Sequence, residues 1–227
     1  MVDRNNRDKL IINIQNFIND KIDSFEFDEN IFEIQTNSED ETIKYIVNTL
    51  WYYYDDLKEH KVAIDKETWN FIQRLILILT SDKEIIEKKE RKYTIRQALS
   101  LSFLTIFIVS YFYVGYTIKL LYISIGLGIF SMVLNWWKVK SEINNLIKWE
   151  LYPFSSIPEL LILRKEQKSF QKQHYDKKLK KRKIRSYFAH NLLLIHSRLS
   201  WLVFSPLVLL YQSLPETNST IEIKENQ

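Results

Sequence analysis

The longest run of hydrophobic positions in the chain lies at residues 97–137, where Lys119 is the one formal charge. An apolar helix of roughly 20 residues is about 30 Å long, which matches the hydrocarbon core of a bilayer. Two such helices fit, at about 97–116 and 120–137, with Lys119 in the turn between them. A soluble domain of this size rarely buries two consecutive helices of this length. The pattern therefore predicts a transmembrane hairpin rather than a buried globular one.

Positive charges flank this hairpin at both outer ends, whereas its turn carries Lys119 alone. Under the positive-inside rule, both outer ends then face the cytoplasm. A lysine at the middle of the bilayer would cost about 2.5–3.5 kcal/mol, which favours a turn there over one long helix. We therefore expect an inner (plasma) membrane protein with a cytoplasmic N-terminal domain. The flanking cations are Lys88, Lys89, Arg91, Lys92 and Arg96 before the hairpin, and Lys138, Lys140 and Lys148 after it.

Residues 1–81 predict a soluble domain of amphipathic helices, because their apolar side chains recur at helical spacing. Ser38 or Asp40 is placed to cap the second helix, and Asp65 is placed to cap the third. The stretch 23–40 alternates only weakly between apolar and polar positions, so we expect it to be irregular. The three predicted helices cover residues 7–22, 42–57 and 66–79.

Residues 82–150 are predicted to form the hairpin together with a cytoplasmic stalk. Ser81 and Glu84 match a capping box, so a helix is expected to begin there and to continue into the first span. Residues 138–150 also keep apolar side chains at helical spacing. The two membrane helices would then extend into the cytosol as a paired stalk. Two separate frayed ends are the alternative.

Beyond the hairpin, Pro153 and Pro158 interrupt helix formation, and residues 151–190 are predicted to be a basic juxtamembrane segment. Residues 191–214 are apolar but are interrupted by charged residues and a proline. Three placements are open for them: a third membrane crossing, a helix lying in the interface, or a helix packed on the N-terminal domain. Residues 215–227 are predicted to be a flexible tail.

Composition supports an all-α fold class. The chain has three glycines and four prolines in 227 residues, which favours long helices over a turn-rich β architecture. It has no cysteine, and this excludes disulfides and thiolate metal sites. It also has no Gly-rich phosphate loop and no HExxH motif. The sequence therefore predicts no cofactor.

Charge is distributed unevenly along the chain. Residues 1–82 hold nine Lys/Arg and seventeen Asp/Glu, a net charge of −8, whereas residues 164–185 hold eleven and two, a net charge of +9. An acidic surface of this kind steers a basic protein partner towards it, so we expect a protein partner at the N-terminal domain.

Three partners are considered for the basic run. Anionic headgroups attract lysine and arginine near the membrane by about 1 kcal/mol per residue. The acidic domain, in the same chain or in a neighbouring subunit, is the second candidate. Nucleic acid is the least expected, because no recognised nucleic-acid motif is present. The residues predicted to contact lipid headgroups are Lys177, Lys178, Lys180, Lys181, Arg182, Lys183 and Arg185.

Small residues form one face of the second predicted span. Ser124, Gly128 and Ser131 fall at positions i, i+4 and i+7, a spacing that allows close approach of another helix. The partner is predicted to be either the first helix of the hairpin or a second copy of the chain, which would give a homo-oligomer.

Asp56 and His60 are the candidate catalytic or metal-ligating pair. At positions i and i+4 they could share one helix face, as hard-metal ligands or an acid–base pair require. A helix end with solvated charges explains the same residues.

Three functions follow from these features. The first is a non-catalytic inner-membrane protein whose acidic cytoplasmic domain binds a partner, in a regulatory, sensing or immunity-type role. The second is a membrane-perturbing effector of a defence or toxin system that acts by oligomerisation. The third is a membrane-tethered, metal-dependent enzyme that uses Asp56 and His60.

Overall fold

The computed structural model describes residues 2–143, 151–168, 170–184 and 186–225, with backbone alone at 141–143, 189, 190 and 218. The described chain is mostly helical and divides into two compact units. The head unit comprises Met1–Lys88, Ile147–Ile184 and Thr220–Gln227. The apolar unit comprises Lys89–Leu146 and Arg185–Ser219.

Four helices form the N-terminal part of the head unit: α1 (Arg4–Ile18), α2 (Ser24–Thr36), α3 (Glu41–Leu50) and α4 (Lys66–Leu79). Asp40 caps α3 by accepting the Thr42 N–H, and Asp65 caps α4 by accepting the Thr68 N–H, as the sequence predicts. The second predicted helix is shorter than expected. It ends at Leu50 and is followed by a 3₁₀ turn at Trp51–Tyr53.

The prediction of an irregular stretch at 23–40 is wrong, because α2 occupies most of it. Asp23 caps this helix by accepting the N–H groups of Phe25 and Glu26. The buried side chains of α2 are spaced by three and four residues, which is the helical period. The short-range Phe25–Phe27 alternation concealed that period. The buried apolar residues are Phe27, Ile31 and Ile34.

The predicted continuation of a helix from 82 into the membrane is also wrong. Residues Lys83–Lys92 form strand β1, which pairs with strand β2 at Glu216–Glu225, so neither the all-α class nor the flexible tail holds there. Ile85 N–H donates to Thr42 Oγ1, which fixes the start of β1 against α3. The helix predicted at 82–96 as the first half of the stalk is therefore absent. Residues 144–150, in the predicted second half, lie outside the described residues.

The part of β2 from Thr220 onward belongs to the head unit, whereas its first residues belong to the apolar unit. Ile221 and Ile223 pack against the core of the head unit, two residues apart as one face of a strand requires. Across the pair, Lys88 Nζ lies 2.6 Å from Glu222 Oε1. Two isoleucines in an otherwise polar tail were too few to signal a strand without its partner.

The segment between Leu151 and Ile184 completes the head unit. It contains α7 (Ile157–Glu166), which is capped by Ser156 and has Pro158 in its first turn, and a 3₁₀ turn at Leu179–Lys181. The apolar side chains of this segment join the same core as those of α1–α4. They are Phe154, Leu163 and Leu179.

The apolar unit begins with two helices that are long and apolar enough to cross a membrane. Helix α5 spans Ile95–Val114, and α6 spans Ile118–Ile143, with its candidate span at Ile118–Lys140. Gly115 has φ +65°, a left-handed conformation that glycine adopts without strain, and it ends α5. Lys119 therefore lies in the first turn of α6, close to the predicted turn.

Residues 191–213 of the apolar stretch lie in a bent helix pair. Helices α8 (Tyr187–Val203) and α9 (Ser205–Ser213) meet at an angle of 82°. By length and composition the pair is either one broken span or a re-entrant loop. It contacts α5 and α6 within the apolar unit.

Candidate functional site

A buried ion pair organises the polar part of the head unit. Arg7 Nε lies 2.6 Å from Asp40 Oδ2, and Arg7 Nη2 donates to Asp40 Oδ1 at 3.1 Å. Arg7 Nη1 donates to the carbonyls of Ser81 and Lys83, at 2.7 and 2.8 Å. One arginine thus joins α1, the cap of α3 and the start of β1, and its role is structural.

Asp56 and His60 do not share a helix face, because residues 54–65 are not helical. Asp56 is exposed, whereas His60 is half-buried and uses both ring nitrogens. Its Nε2 accepts the Asp55 N–H at 2.8 Å, and its Nδ1 lies 2.8 Å from the Lys61 carbonyl, which fits the Nδ1–H tautomer. Within the described ranges, no group of three or more His, Cys, Asp or Glu side chains could hold a metal ion. The geometry on which the predicted acid–base pair depended is therefore missing.

The basic segment at 170–184 contacts the rest of the head unit through its backbone and through side chains other than lysine. Gln173 N–H donates to Gln73 Oε1 at 3.0 Å, and Tyr175 Oη donates to the Ile64 carbonyl at 3.1 Å. Leu179 is buried in the core of the head. These contacts place the inner side of the segment on the acidic domain of the same chain. That arrangement is one of the three alternatives that the sequence left open.

The predicted headgroup-contacting residues divide into two groups. Arg182 Nη1 lies 2.6 Å from Asp20 Oδ1, and this hydrogen bond raises the pKa of the Arg182 guanidinium. Arg182 Nη1 also donates to the Val62 carbonyl at 3.2 Å. Arg185 lies outside the described residues. The remaining five are exposed, so their contact with lipid stays a prediction: Lys177, Lys178, Lys180, Lys181 and Lys183.

The small-residue face of α6 contacts the bent helix pair rather than a predicted partner. Ser124 Oγ lies 2.9 Å from Ser205 Oγ. A Cβ atom on Gly128 would lie 3.0 Å from Leu202 Cα, so only glycine fits there without displacing the backbone of α8. Ser131 Oγ donates to Gln212 Oε1 at 2.9 Å. In the structure this face contacts residues 202–212, a partner that the sequence analysis did not consider.

An aromatic and acidic surface of the head unit is left uncovered. Phe25 and Phe32 are 45% and 65% exposed on the outer side of α2. Glu29 and Glu33 are exposed on the same side, since positions 25, 29, 32 and 33 share a helix face. We call Phe25, Glu29, Phe32 and Glu33 the α2 surface. Sequence reasoning missed it because the stretch was not expected to be helical.

Exposed aromatic residues continue beside the α2 surface. Gln35 Nε2 donates to Asn48 Oδ1 at 3.1 Å, and Tyr54 Oη donates to Asp28, so residues 48–54 run alongside α2. The side chains of Trp51 and Tyr52 on this segment are exposed. Large aromatic groups in contact with water are typical of protein-binding surfaces.

The apolar unit contains a cavity of about 460 Å³ at the end where α5 begins. Its charged lining residues are Arg96, Lys138 and Glu216. Arg96 Nη2 lies 2.9 Å from Glu216 Oε2, and Lys138 Nζ lies 3.4 Å from Glu216 Oε1. Glu216 could not be grouped with these cations from spacing along the chain, because 120 positions separate it from Arg96.

Comparison of the chain with protein-family models, with curated proteins and with solved structures found no match.

Proposed function

We propose that this chain is a non-catalytic inner-membrane protein whose acidic cytoplasmic head binds a protein partner, in a regulatory, sensing or immunity-type role. The observation that carries the proposal is the α2 surface, where Phe25 and Phe32 contact water beside Glu29 and Glu33. Exposed phenylalanine is unfavourable in water, so a covering partner would gain from its burial. The carboxylates select a partner with basic residues around an apolar contact.

Membrane insertion is supported by the outer surface of the apolar unit. Large apolar side chains along α5 and α6 are exposed, which is unfavourable in water and favourable in lipid. Apart from Lys119 near the turn, the cations near the spans lie at their outer ends, which orients the head towards the cytoplasm. Examples of these exposed side chains are Leu101, Ile106, Phe112, Ile129, Phe130 and Val133.

The packing of the head unit supports a re-entrant path for α8 and α9. Three separate stretches of chain form this one unit, so each stretch between them leaves the head and returns to it. A segment that starts and ends on one side of a bilayer crosses it an even number of times. Two crossings are assigned to α5 and α6, and the pair bent by 82° enters and leaves on the cytoplasmic side. We therefore prefer this path to the alternative in which residues 191–214 cross the membrane a third time and the tail lies outside.

Site-specific photo-crosslinking in cells tests the partner surface. A photoreactive amino acid at Phe32 should give a crosslinked product of defined mass, since this side chain would lie inside the interface. Ile12 on α1 is the matched control because it is apolar and 56% exposed outside the α2 surface. Glu29→Lys together with Glu33→Lys should abolish the product at position 32. Identical crosslinking at both positions, unaffected by charge reversal, would contradict a partner at this surface.

A membrane-perturbing effector is the second candidate, and one observation favours it. Hydroxyl and amide groups form a hydrogen-bonded line inside the apolar unit: Trp201 Nε1 donates to Ser131 Oγ at 2.9 Å, and Gln212 Nε2 donates to the Ser131 carbonyl at 3.1 Å. Polar side chains inside membrane bundles line water or ion paths in many proteins. Induced expression discriminates the candidates: growth arrest with dye entry supports the effector, and harmless accumulation supports the partner-binding protein.

A further inference from the structure

We propose that the cavity at the base of the apolar unit binds the phosphate of an anionic phospholipid headgroup. The first turns of α5 supply Arg96 and Ser100, and α6 supplies Asn135 and Lys138. Gln212 closes the cavity from α9. A volume of about 460 Å³ lies in the range of small-molecule sites.

The charge of the cavity favours an anion. Arg96 and Lys138 share the single carboxylate of Glu216, so these three residues leave one net positive charge. Arg96 Nη1 is buried and has no hydrogen-bond acceptor within the described part of the chain. A buried guanidinium N–H without an acceptor is costly. A phosphate oxygen is the acceptor that arginine geometry matches best.

The position of the cavity along the helices identifies the source of the phosphate. Arg96 is the second residue of α5, and Lys138 is near the end of the span Ile118–Lys140. Both cations therefore lie at the same end of the two spans, which is headgroup level for a chain inserted as proposed above. This step depends on the proposed membrane insertion.

The uncharged walls of the cavity fit a lipid better than a free ion. Trp201 and Tyr211 contribute amphipathic rings, the kind of side chain enriched at the membrane interface. Leu134 and Leu214 contribute apolar surface for the glycerol and the first acyl carbons. Basic pockets between membrane helices on the cytoplasmic side bind anionic headgroups in this way.

The test uses the full-length chain in a mild detergent, with phosphatidylglycerol, cardiolipin or phosphatidylcholine added, and native mass spectrometry to count retained lipids. Lys138→Gln removes a cation from the cavity. Lys140→Gln is the matched control, because Lys140 is exposed on the same helix and does not line the cavity. We expect about fivefold weaker retention of anionic lipids for Lys138→Gln and less than about twofold for the control. Equal effects of the two variants would overturn the proposal.

Glu216→Gln provides a test with the opposite sign. It removes the carboxylate that competes with phosphate for Arg96 and Lys138, so we expect retention of anionic lipids to increase by about threefold or more. If Glu216 only held the two cations in place, its loss would loosen the cavity and retention of anionic lipids would decrease. Weaker retention in Glu216→Gln therefore overturns the proposal even where Lys138→Gln is impaired in folding.

Two further measurements separate the alternatives. Inorganic phosphate should not displace the bound lipid, and full displacement at millimolar phosphate, or equal retention of phosphatidylcholine, overturns a headgroup site. Extraction of cell membranes with alkaline carbonate tests the step on which the inference rests. A chain released by carbonate contradicts the proposed membrane insertion, whereas a chain that stays in the membrane without lipid selectivity contradicts only the headgroup site.

Discussion

Arg7 and Asp40 form an ion pair at the centre of the head unit, with Nε 2.6 Å from Oδ2 and side chains 0% and 1% exposed. The pair holds together three parts of the chain, because Arg7 also binds two carbonyls at the start of β1 and Asp40 also caps α3. A buried pair is a weak source of net stability when intact, but removal of one partner leaves a buried charge without compensation. The head should therefore tolerate little change at either residue.

Asp40→Asn is expected to destabilise the head by about 3–5 kcal/mol, because Arg7 is left charged and buried without its counter-ion. Urea unfolding of the full-length chain in mild detergent, followed by proteolysis of the unfolded head, measures this loss. The matched control is Asp8→Asn, since Asp8 pairs with Arg4 at 2.8 Å on the exposed surface. We expect at most about 1 kcal/mol for the control. Similar losses at both positions would contradict the structural role of the buried pair.

The same carboxyl makes the head sensitive to acid. Burial acts to raise the pKa of Asp40, but the hydrogen bonds and charge of Arg7, with the N–H groups of Asp3 and Thr42, hold it below its ordinary value of 3.8. The unfolded chain therefore takes up the proton first as the pH falls. The stabilisation is fully present above pH 3.8 and is lost as the pH falls through the pKa of the folded state.

Melting temperatures of the head between pH 7 and pH 2 check this dependence. The wild-type curve should drop below about pH 4, the region set by the unfolded carboxyl. In Asp40→Asn the same region should be flatter, because the group that titrates there is gone. Parallel curves for the two proteins would assign the acid sensitivity to other carboxylates.

Leu179 should anchor the basic segment, since it is buried in the core between exposed lysines. Leu179→Ala removes most of that buried side chain, a change that typically costs about 2–5 kcal/mol in a core. We expect faster cleavage by trypsin at Lys177–Lys183, because local detachment exposes the backbone to the protease. Leu179→Met is the control, because it keeps an apolar side chain of similar volume in the core and leaves every trypsin site in place. A segment that trypsin cuts equally fast in both variants is not anchored by Leu179.

Gly128 and Gly126 offer a matched pair within α6. Gly128→Ala places a methyl group 3.0 Å from Leu202 Cα, whereas the same methyl at Gly126 meets nothing within 4 Å. We expect Gly128→Ala to lower stability by about 1–3 kcal/mol through overpacking. Gly126→Ala should be neutral or slightly stabilising because alanine favours the helix. Thermal unfolding of the detergent-solubilised protein compares the two, and equal effects would show that α8 does not approach α6 closely.

Single-cysteine labelling tests the re-entrant path, and the absence of native cysteine makes it free of background. Ser219→Cys should react with a membrane-impermeant maleimide only after the cells are opened, as a head position such as Lys61→Cys does. Tyr116→Cys, at the turn between α5 and α6, should react in intact cells. Reaction of Ser219→Cys in intact cells would restore a third crossing and an external tail.

The elements that the sequence predicts well are those whose signal is local. The caps at Asp40 and Asp65 depend on the next three residues, and the long apolar helices near 97–116 and 120–137 depend on composition alone. The prediction for residues 83–92 was wrong because the ladder partner of β1 is far away in sequence. The local capping signal at Ser81 and Glu84 favoured a helix instead. The turn hydrogen bond of Ser81 Oγ goes instead to the Ile78 carbonyl.

The candidate sites follow the same division. The small-residue face of α6 can be recognised from Ser124, Gly128 and Ser131, because spacing on one helix is a local property. Its partner could not, since no rule of spacing connects Ser124 with Ser205, 81 positions further on. The cavity around Arg96 and Glu216 is likewise produced by tertiary contact alone.

The pairing of β1 with β2 also sets an order of events during synthesis. Lys88 and Glu222 are 134 positions apart, and at roughly 5–20 residues per second β1 leaves the ribosome on the order of ten seconds before its ladder partner. Both long apolar helices, α5 and α6, are made within that interval, when the backbone of β1 has no strand to pair with. Its dense lysine and glutamate side chains discourage neighbouring nascent chains from pairing with it. The charged side chains that hide the strand pattern of β1 in the sequence therefore also reduce its pairing with other chains until β2 is synthesised.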